Sequence, residues 1–316
     1  MGFDRHSTAM QVAAQADLRG RTALVTGATS GLGVATAHAL AAAGADLILG
    51  VRDRDAGRLM ANKICAETGR QVLVGVLDLS NPSSVVSFAQ TVTDRPEALG
   101  ILVANAGVSK TLDAHTADGL DVRFATNHLG HFLLANLLFR KLALNGARVV
   151  VLSSAAHKGR PLHFDDMQWQ SRPRDDLMAY GESKTANILF AMEATKRWSS
   201  DGIFANAVLP GSVLTGLQRY HGDELKRLIG FFDEQGKPNP AMKTVEQGAA
   251  TTIWAATAPE LESRGGLVLE DCALALPVGP ETHPWTGFDA SVTEELAAYM
   301  LWERSTDILA ALDIII

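Results

Sequence analysis

Short apolar runs bounded by glycine alternate along this chain with longer stretches in which apolar residues recur at helical spacing, a pattern that predicts a β/α series. Residues 22–33 read as a first strand, a glycine-rich turn and the entry to an alanine-rich helix over 34–43. Further strands are expected over 46–51, 71–77, 99–104, 148–152, 203–209 and 266–269, with helices over 54–68, 119–144, 180–199 and 245–258. Asn81-Pro82 opens another helix with proline in its first turn. The strand runs are continuously apolar, as in a parallel sheet buried on both faces, and the 119–144 helix is apolar nearly all round and hence buried. Two stretches break the rhythm. Residues 155–178, with Pro161, Pro173 and four aspartates, read as an inserted loop, and 212–243 read as a movable segment beside a substrate. No linker marks a second domain. The expected organisation is an extension over 1–20 with one short helix capped by Ser7 or Thr8, a single doubly wound α/β domain over 21–288 with helices on both faces, and a helical extension over 289–316.

Charge and composition narrow the partners. Lys and Arg total 28 against 35 Asp and Glu, a net charge of −7, and no basic cluster is present to track a phosphate backbone, so nucleic acid is not an expected partner. Cys65 and Cys272 lie far apart without Cys-x-x-Cys spacing, which fits a reducing compartment and suggests neither a disulfide nor a zinc site. The first twenty residues hold no apolar block of signal-peptide length, and no span is long enough for a bilayer; a soluble cytoplasmic protein without a membrane partner is expected.

The chemistry gathers at the strand ends. Gly27, Gly31 and Gly33 let the backbone turn sharply, approach a pyrophosphate and pack the next helix closely, while that helix's N-terminus offers free N–H groups to the anion. In an open parallel sheet ligands bind at the carboxyl ends of strands, where Arg52, Asp78, Asn105–Gly107, Ser153-Ser154 and Pro210-Gly211 also fall. Tyr180 and Lys184 stand at i and i+4 on one helix face beside this crevice, so an ammonium can favour the phenolate of a proton-transferring tyrosine. Only one of Ser153 and Ser154 can face a substrate, because neighbouring strand residues point to opposite faces.

The set Thr26-Gly-x-x-x-Gly-x-Gly33, Asn105-Ala106-Gly107, Tyr180-x-x-x-Lys184 and Pro210-Gly211 resembles the short-chain dehydrogenase/reductase family over about residues 20–280. The resemblance implies a Rossmann-type fold and an NAD(P)-dependent oxidoreductase that interconverts a secondary alcohol and a ketone or aldehyde. It also implies that Tyr180 is the general acid/base, that Lys184 holds the nicotinamide ribose and lowers the tyrosine pKa, and that Ser154 is the serine in the pocket. Asn127 matches the asparagine that supports a water relay to the lysine, the alternative being a buried Asn that satisfies its helix. Gly27, Thr29, Ser30, Gly31, Leu32 and Gly33 would cradle the dinucleotide together with Asn105, Ala106, Gly107, Pro210, Gly211 and Val213. Asp78 would accept from the adenine amino group, Leu79 would pack on that ring, and Thr215 would contact the carboxamide. Arg52, at the end of the second strand, favours NADP by pairing with a 2′-phosphate, with NAD kept open; Asp53 beside it is read as a helix cap, with a ribose contact as the alternative.

The 26 positions between Ser154 and Tyr180, and Ser153-Ser-x-Ala-His157, resemble the retinol-dehydrogenase-like branch. Leu162, Phe164, Met167, Trp169, Leu214, Leu217, Tyr220, Phe231 and Phe232 then either line an apolar pocket for a lipophilic or aromatic substrate or serve as packing. Rival readings are an epimerase or dehydratase with bound NAD, which Arg52 disfavours, and a dinucleotide sensor without turnover, which retention of Tyr180, Lys184, Ser154 and Asn127 disfavours. His128 and His131 are read as packing, and no metal site is expected. The family commonly forms dimers or tetramers through the helices after the fourth and fifth strands.

Overall fold

The computed structural model describes residues 2–280 and 282–316. Seven parallel strands, β1 (Thr22–Thr26), β2 (Asp46–Val51), β3 (Val72–Val76), β4 (Ile101–Ala104), β5 (Ala147–Leu152), β6 (Ile203–Leu209) and β7 (Val268–Glu270), lie in the order β3-β2-β1-β4-β5-β6-β7. A two-residue β8 (Ala273–Leu274), which the pattern reading does not anticipate, pairs antiparallel with β7 at the edge. Alternation within the strands sends Leu24, Leu102 and Val149 to one face and Ala23, Val25, Val103 and Val150 to the other. The first face packs on helices Pro82–Thr93, Gly130–Leu137, Asp176–Trp198 and Glu295–Ala310, the second on Ala9–Ala13, Gly31–Ala42, Arg54–Thr68 and Val245–Thr257. The result is the expected doubly wound sheet, and the chain order reverses direction between β1 and β4, which opens a crevice at their carboxyl ends.

Several boundaries differ from the sequence reading for local reasons. The 119–144 helix starts at Val122, where the Asp121 carboxylate accepts from the N–H groups of Arg123 and Phe124, passes through a π-helical stretch at Ala125–Leu129, and is interrupted at Leu138. The inserted loop ends at Asp175, which caps the Asp176–Trp198 helix by accepting from Leu177 N and Met178 N at 3.0 Å. Its loop is folded rather than free: Arg172 makes a two-pronged pair with Glu182 at 2.7 and 3.0 Å and stacks over Trp169. The N-terminal helix is capped by Thr8 and buries Ala9, Val12 and Ala13 against Val245–Thr257, so the extension is part of the core. The C-terminal helix covers Glu295–Ala310, shorter than the 289–316 extension.

Buried Arg123 ties two site-bearing helices together. Its guanidinium pairs with Asp121 at its own helix start and with Asp176 at the start of the Tyr180 helix. Burial works against the charge, but the two carboxylates outweigh it and hold the pKa above the ordinary arginine value.

Candidate active site

The crevice is a cleft of about 550 Å³ lined by Gly27, Thr29 to Gly33, Arg52, Asp53, Asp78, Leu79, Asn105 to Val108, Ser153, Tyr180, Lys184, Pro210 and Thr215, among others. Its floor is shaped for close approach. Gly27 has φ +70°, and a Cβ there would lie 2.9 Å from Ala106 Cα; a Cβ on Gly33 would lie 2.6 Å from Asn105 Nδ2. Asn105 Nδ2 donates to Thr26 O at 2.7 Å, and the Thr26 hydroxyl accepts from the N–H groups of Asn105 and Ala106, both at 3.0 Å. These bonds hold the glycine turn against the end of β4. Ser30 stands at the N-cap of Gly31–Ala42 without making a side-chain cap bond, so its hydroxyl and the first helical N–H groups are available to an anion. Such a cradle, with Arg52 exposed at the end of β2, fits a dinucleotide's pyrophosphate and ribose groups.

Other residues of the cofactor set are placed less uniformly. Asp53 caps Arg54–Thr68, accepting from Asp55 N and Ala56 N at 3.0 Å, as the capping reading expects. Asp78 Oδ1 is engaged by Ser80 N at 3.0 Å and Ser80 Oγ at 2.6 Å. Thr215 packs on the glycine turn, where a Cβ on Gly31 would meet its Cβ at 3.1 Å. Gly211, at φ +79°, turns past Lys243, and Val213 is buried against Gly248. Neither of these two lines the cleft.

Tyr180 and Lys184 lie one turn apart and are both buried, the ammonium 5.7 Å from the centre of the phenol ring. Burial pushes the Tyr180 phenol up to about 12, against opposing effects from the Ser154 hydroxyl and the Arg160 guanidinium. Burial also pushes Lys184 down to about 7, and its Nζ donates to Leu152 O at 2.9 Å. The charge that opposes the rise of the tyrosine pKa is therefore that of Arg160 in the inserted loop, a residue the motif reading passes over. Arg160 reaches this position because Gly181 leaves its Cδ room beside the helix.

Ser153 and Ser154 part as strand geometry requires. Ser153 contributes to the cleft lining but commits its hydroxyl to Lys184 O at 2.7 Å, whereas Ser154, which is not among the lining residues, faces Tyr180 and accepts from Ala156 N at 3.2 Å. Asn127 sits in the π-helical stretch with its side chain fully engaged: Oδ1 accepts from Val108 N at 2.7 Å, and Nδ2 donates to Val108 O and Ser183 Oγ, both at 2.9 Å. Ser183 donates in turn to Tyr180 O at 2.6 Å. Asn127 thus joins the loop at Val108, which lines the cleft, to the helix that carries Tyr180.

His131 is more than packing. Its Nδ1 donates to Asn127 O at 3.0 Å, and its Nε2 lies 2.8 Å from the Thr26 hydroxyl, so this ring links the glycine turn to Asn127. The i, i+4 spacing from Asn127 was the available signal. His128 does pack, among Phe124, Phe132 and Phe190 with Nε2 against Ser305 Oγ, and burial pushes its pKa down to about 3. Of the two readings of the apolar residues, packing holds for most of them: Met167 and Phe231 are buried, Leu162 and Phe164 pack against the core, and of the named residues Leu217 lines the cleft. Leu214 and Tyr220 are exposed, 46% and 41% accessible, and are not among the residues that line it.

A doubly wound sheet with a glycine cradle at its switch point and a Tyr/Lys pair in the same cleft defines a dinucleotide-dependent oxidoreductase. The chain belongs to the short-chain dehydrogenase family, whose model matches residues 21–226. It is 44% identical over 304 residues to a probable oxidoreductase of Streptomyces antibioticus, covering 93% of this chain and 99% of that protein. Retinol dehydrogenase 11 of Mus musculus is 38% identical over 296 residues, 92% of this chain and 87% of that one. Among solved structures, an uncharacterized protein from Mycobacterium paratuberculosis superposes with a TM-score of 0.71 at 30% identity, covering 94% of this chain and 97% of the other. Among the described residues, no helix is long and apolar enough to cross a membrane.

Proposed function

We propose that the protein is an NADP(H)-dependent oxidoreductase that interconverts a secondary alcohol and a ketone or aldehyde on a lipophilic or aromatic small molecule, with Tyr180 as general acid/base. The observation that carries the reading is the burial of Tyr180 and Lys184 one turn apart at the end of a cleft built for a dinucleotide. The bound nicotinamide supplies the hydride chemistry. In the reductive direction Tyr180 donates its proton to the carbonyl oxygen, the Ser154 hydroxyl holds that oxygen, and Lys184, fixed between Leu152 O and the cleft, holds the ribose and favours the phenolate left behind. Asn127 and Ser183 keep the Tyr180 turn in place from behind. The lipophilic substrate class rests on Leu217 in the lining of the cleft and on the similarity to retinol dehydrogenase 11.

Arg52 carries the preference for NADP(H). It is exposed in the cleft, and no carboxylate pairs with it among the described residues. Arg52→Glu is expected to weaken NADPH binding by about a hundredfold while changing NADH binding by less than about threefold, measured by fluorescence titration. Equal loss for both dinucleotides would refute the 2′-phosphate assignment. The reaction is tested by a panel of alcohols and carbonyls with NADPH and NADH in parallel; binding without turnover on any member would return the sensor reading.

Because Tyr180 is raised rather than lowered, it is protonated at neutral pH and ready as an acid. Alcohol oxidation, which needs the phenolate, is expected to rise relative to carbonyl reduction between about pH 6 and about pH 8, the titration of Lys184 at about 7 acting on both directions alike. Oxidation that is fastest in acid would contradict the assignment of Tyr180.

A further inference from the structure

We infer that His157 is a positioning residue that fastens the peptide of Ser154 to the C-terminal segment and so aims the Ser154 hydroxyl at Tyr180. The inference rests on the oxidoreductase reading above. His157 is completely buried at 0% accessibility, with Nδ1 2.6 Å from Ser154 O and Nε2 3.0 Å from Asp289 N. A carbonyl only accepts and a main-chain N–H only donates, so the ring carries its proton on Nδ1 and leaves Nε2 bare. A second proton would set one N–H against another. Burial is the main influence keeping the ring neutral; Lys158 and Arg160 act in the same sense, and the Ser154 carbonyl and the Asp289 carboxylate oppose them.

The neighbouring residues extend this attachment. Gly159 N donates to Asp289 Oδ2 at 2.9 Å, and Lys158 Nζ donates to Thr286 O at 2.8 Å. The same segment also holds the stretch after the Asp223–Leu228 helix: Trp285 Nε1 donates to Ile229 O at 3.2 Å, and its ring meets Phe231 edge-on at 5.7 Å between centroids. Ser154 is the N-cap of the turn Ala155–His157, its Oγ accepting from Ala156 N, so the direction of the hydroxyl follows the shape of that turn. With the imidazole bond to Ser154 O removed, the turn loses its brace and the hydroxyl loses its alignment with the phenol.

Imidazole ¹⁵N NMR of the wild-type protein is expected to show His157 protonated at Nδ1 and bare at Nε2, and still neutral as the pH falls through the ordinary imidazole value. His157→Leu is expected to lower kcat by about ten- to a hundredfold, to shift the oxidation profile to higher pH because Ser154 no longer lowers the Tyr180 pKa, and to leave the NADPH Kd within about twofold. His157→Gln, which can still donate to the carbonyl and accept from Asp289 N, is expected to restore kcat to within about threefold. A ring protonated at Nε2 or charged near its ordinary pKa overturns the inference. So does a Leu variant that melts earlier but keeps the wild-type kcat and pH profile. If the Leu variant does not fold, the ring tautomer and the Gln variant decide, and a Gln variant that folds as wild type yet loses kcat as deeply as Ser154→Ala counts against the proposal. Retained activity in Tyr180→Phe would instead sink the underlying reading, whereas an inactive Tyr180→Phe beside an unaffected His157→Leu would sink this inference alone.

Discussion

Tyr180→Phe is expected to lower kcat/KM by about a thousandfold or more while leaving the dinucleotide Kd within about twofold of wild type. The substitution removes one oxygen from a buried side chain held by its backbone: Ser183 donates to Tyr180 O, and Asn127 donates to Ser183. The turn therefore keeps its place when the hydroxyl is gone. Ser154 loses the phenol it faces, but Ala156 N still holds its oxygen at 3.2 Å, so the pocket is not reorganised. Loss of turnover with intact binding then isolates the proton transfer. Thermal denaturation should place the variant within a few degrees of wild type, because the Ser154 hydroxyl that faces the phenol keeps its bond from Ala156 N. Wild-type turnover in this variant would remove Tyr180 from the mechanism, and with it the reading of the whole cleft.

How much of this was legible depended on how local the cause was. The β1 strand, the glycine turn and the helix after it were readable because an apolar run, three glycines and an alanine-rich stretch each act within their own segment. Strand alternation alone implied that Ser153 and Ser154 point apart, while the choice between them came from the family resemblance. The π-helical stretch at Ala125–Leu129 was not readable, since nothing in Ala-Thr-Asn-His-Leu distinguishes it from an α-helix until Asn127 has Val108 and Ser183 to bond. The hydrogen-bonding part played by His131 depends on Thr26, 105 positions away, and the burial of His157 depends on Asp289, 132 positions away. The apolar residues of the inserted loop left two readings open, because hydrophobicity marks burial but does not distinguish a core from a pocket, and Met167, Leu162 and Phe164 went to the core. The i, i+4 spacing of Tyr180 and Lys184 correctly implied a shared face. It could not show that burial dominates both pKa values, or that Arg160 would supply a charge.

Lys184→Met is expected to give an inactive protein that is more stable than wild type. Lys184 is 4% exposed, and its Nζ donates to Leu152 O, a carbonyl that also accepts from Asn187 Nδ2 at 2.8 Å. Removing the ammonium therefore leaves no buried acceptor unpaired, and methionine fills the same slender volume without a charge. Burial holds the folded-state pKa down at about 7. An unfolded lysine titrates near 10.4, so between these values the unfolded chain binds more protons and wild-type stability rises with pH. The cost of burying the ammonium is full below about pH 7 and fades toward about pH 10.4. At neutral pH it amounts to a few kcal/mol, from which the lost hydrogen bond subtracts about 1 kcal/mol, leaving a net gain for the variant of about 2 kcal/mol. Thermal or urea denaturation at several pH values reads this directly: the advantage of Lys184→Met should be largest at and below neutrality and narrow in alkali. A variant less stable than wild type at every pH would mean that the ammonium contributes to the fold. The expected combination, a gain in stability with turnover lost by about a thousandfold, is what a buried lysine kept for chemistry should produce, because the apolar surroundings that make it costly to the fold also strengthen its effect on Tyr180 once it is charged.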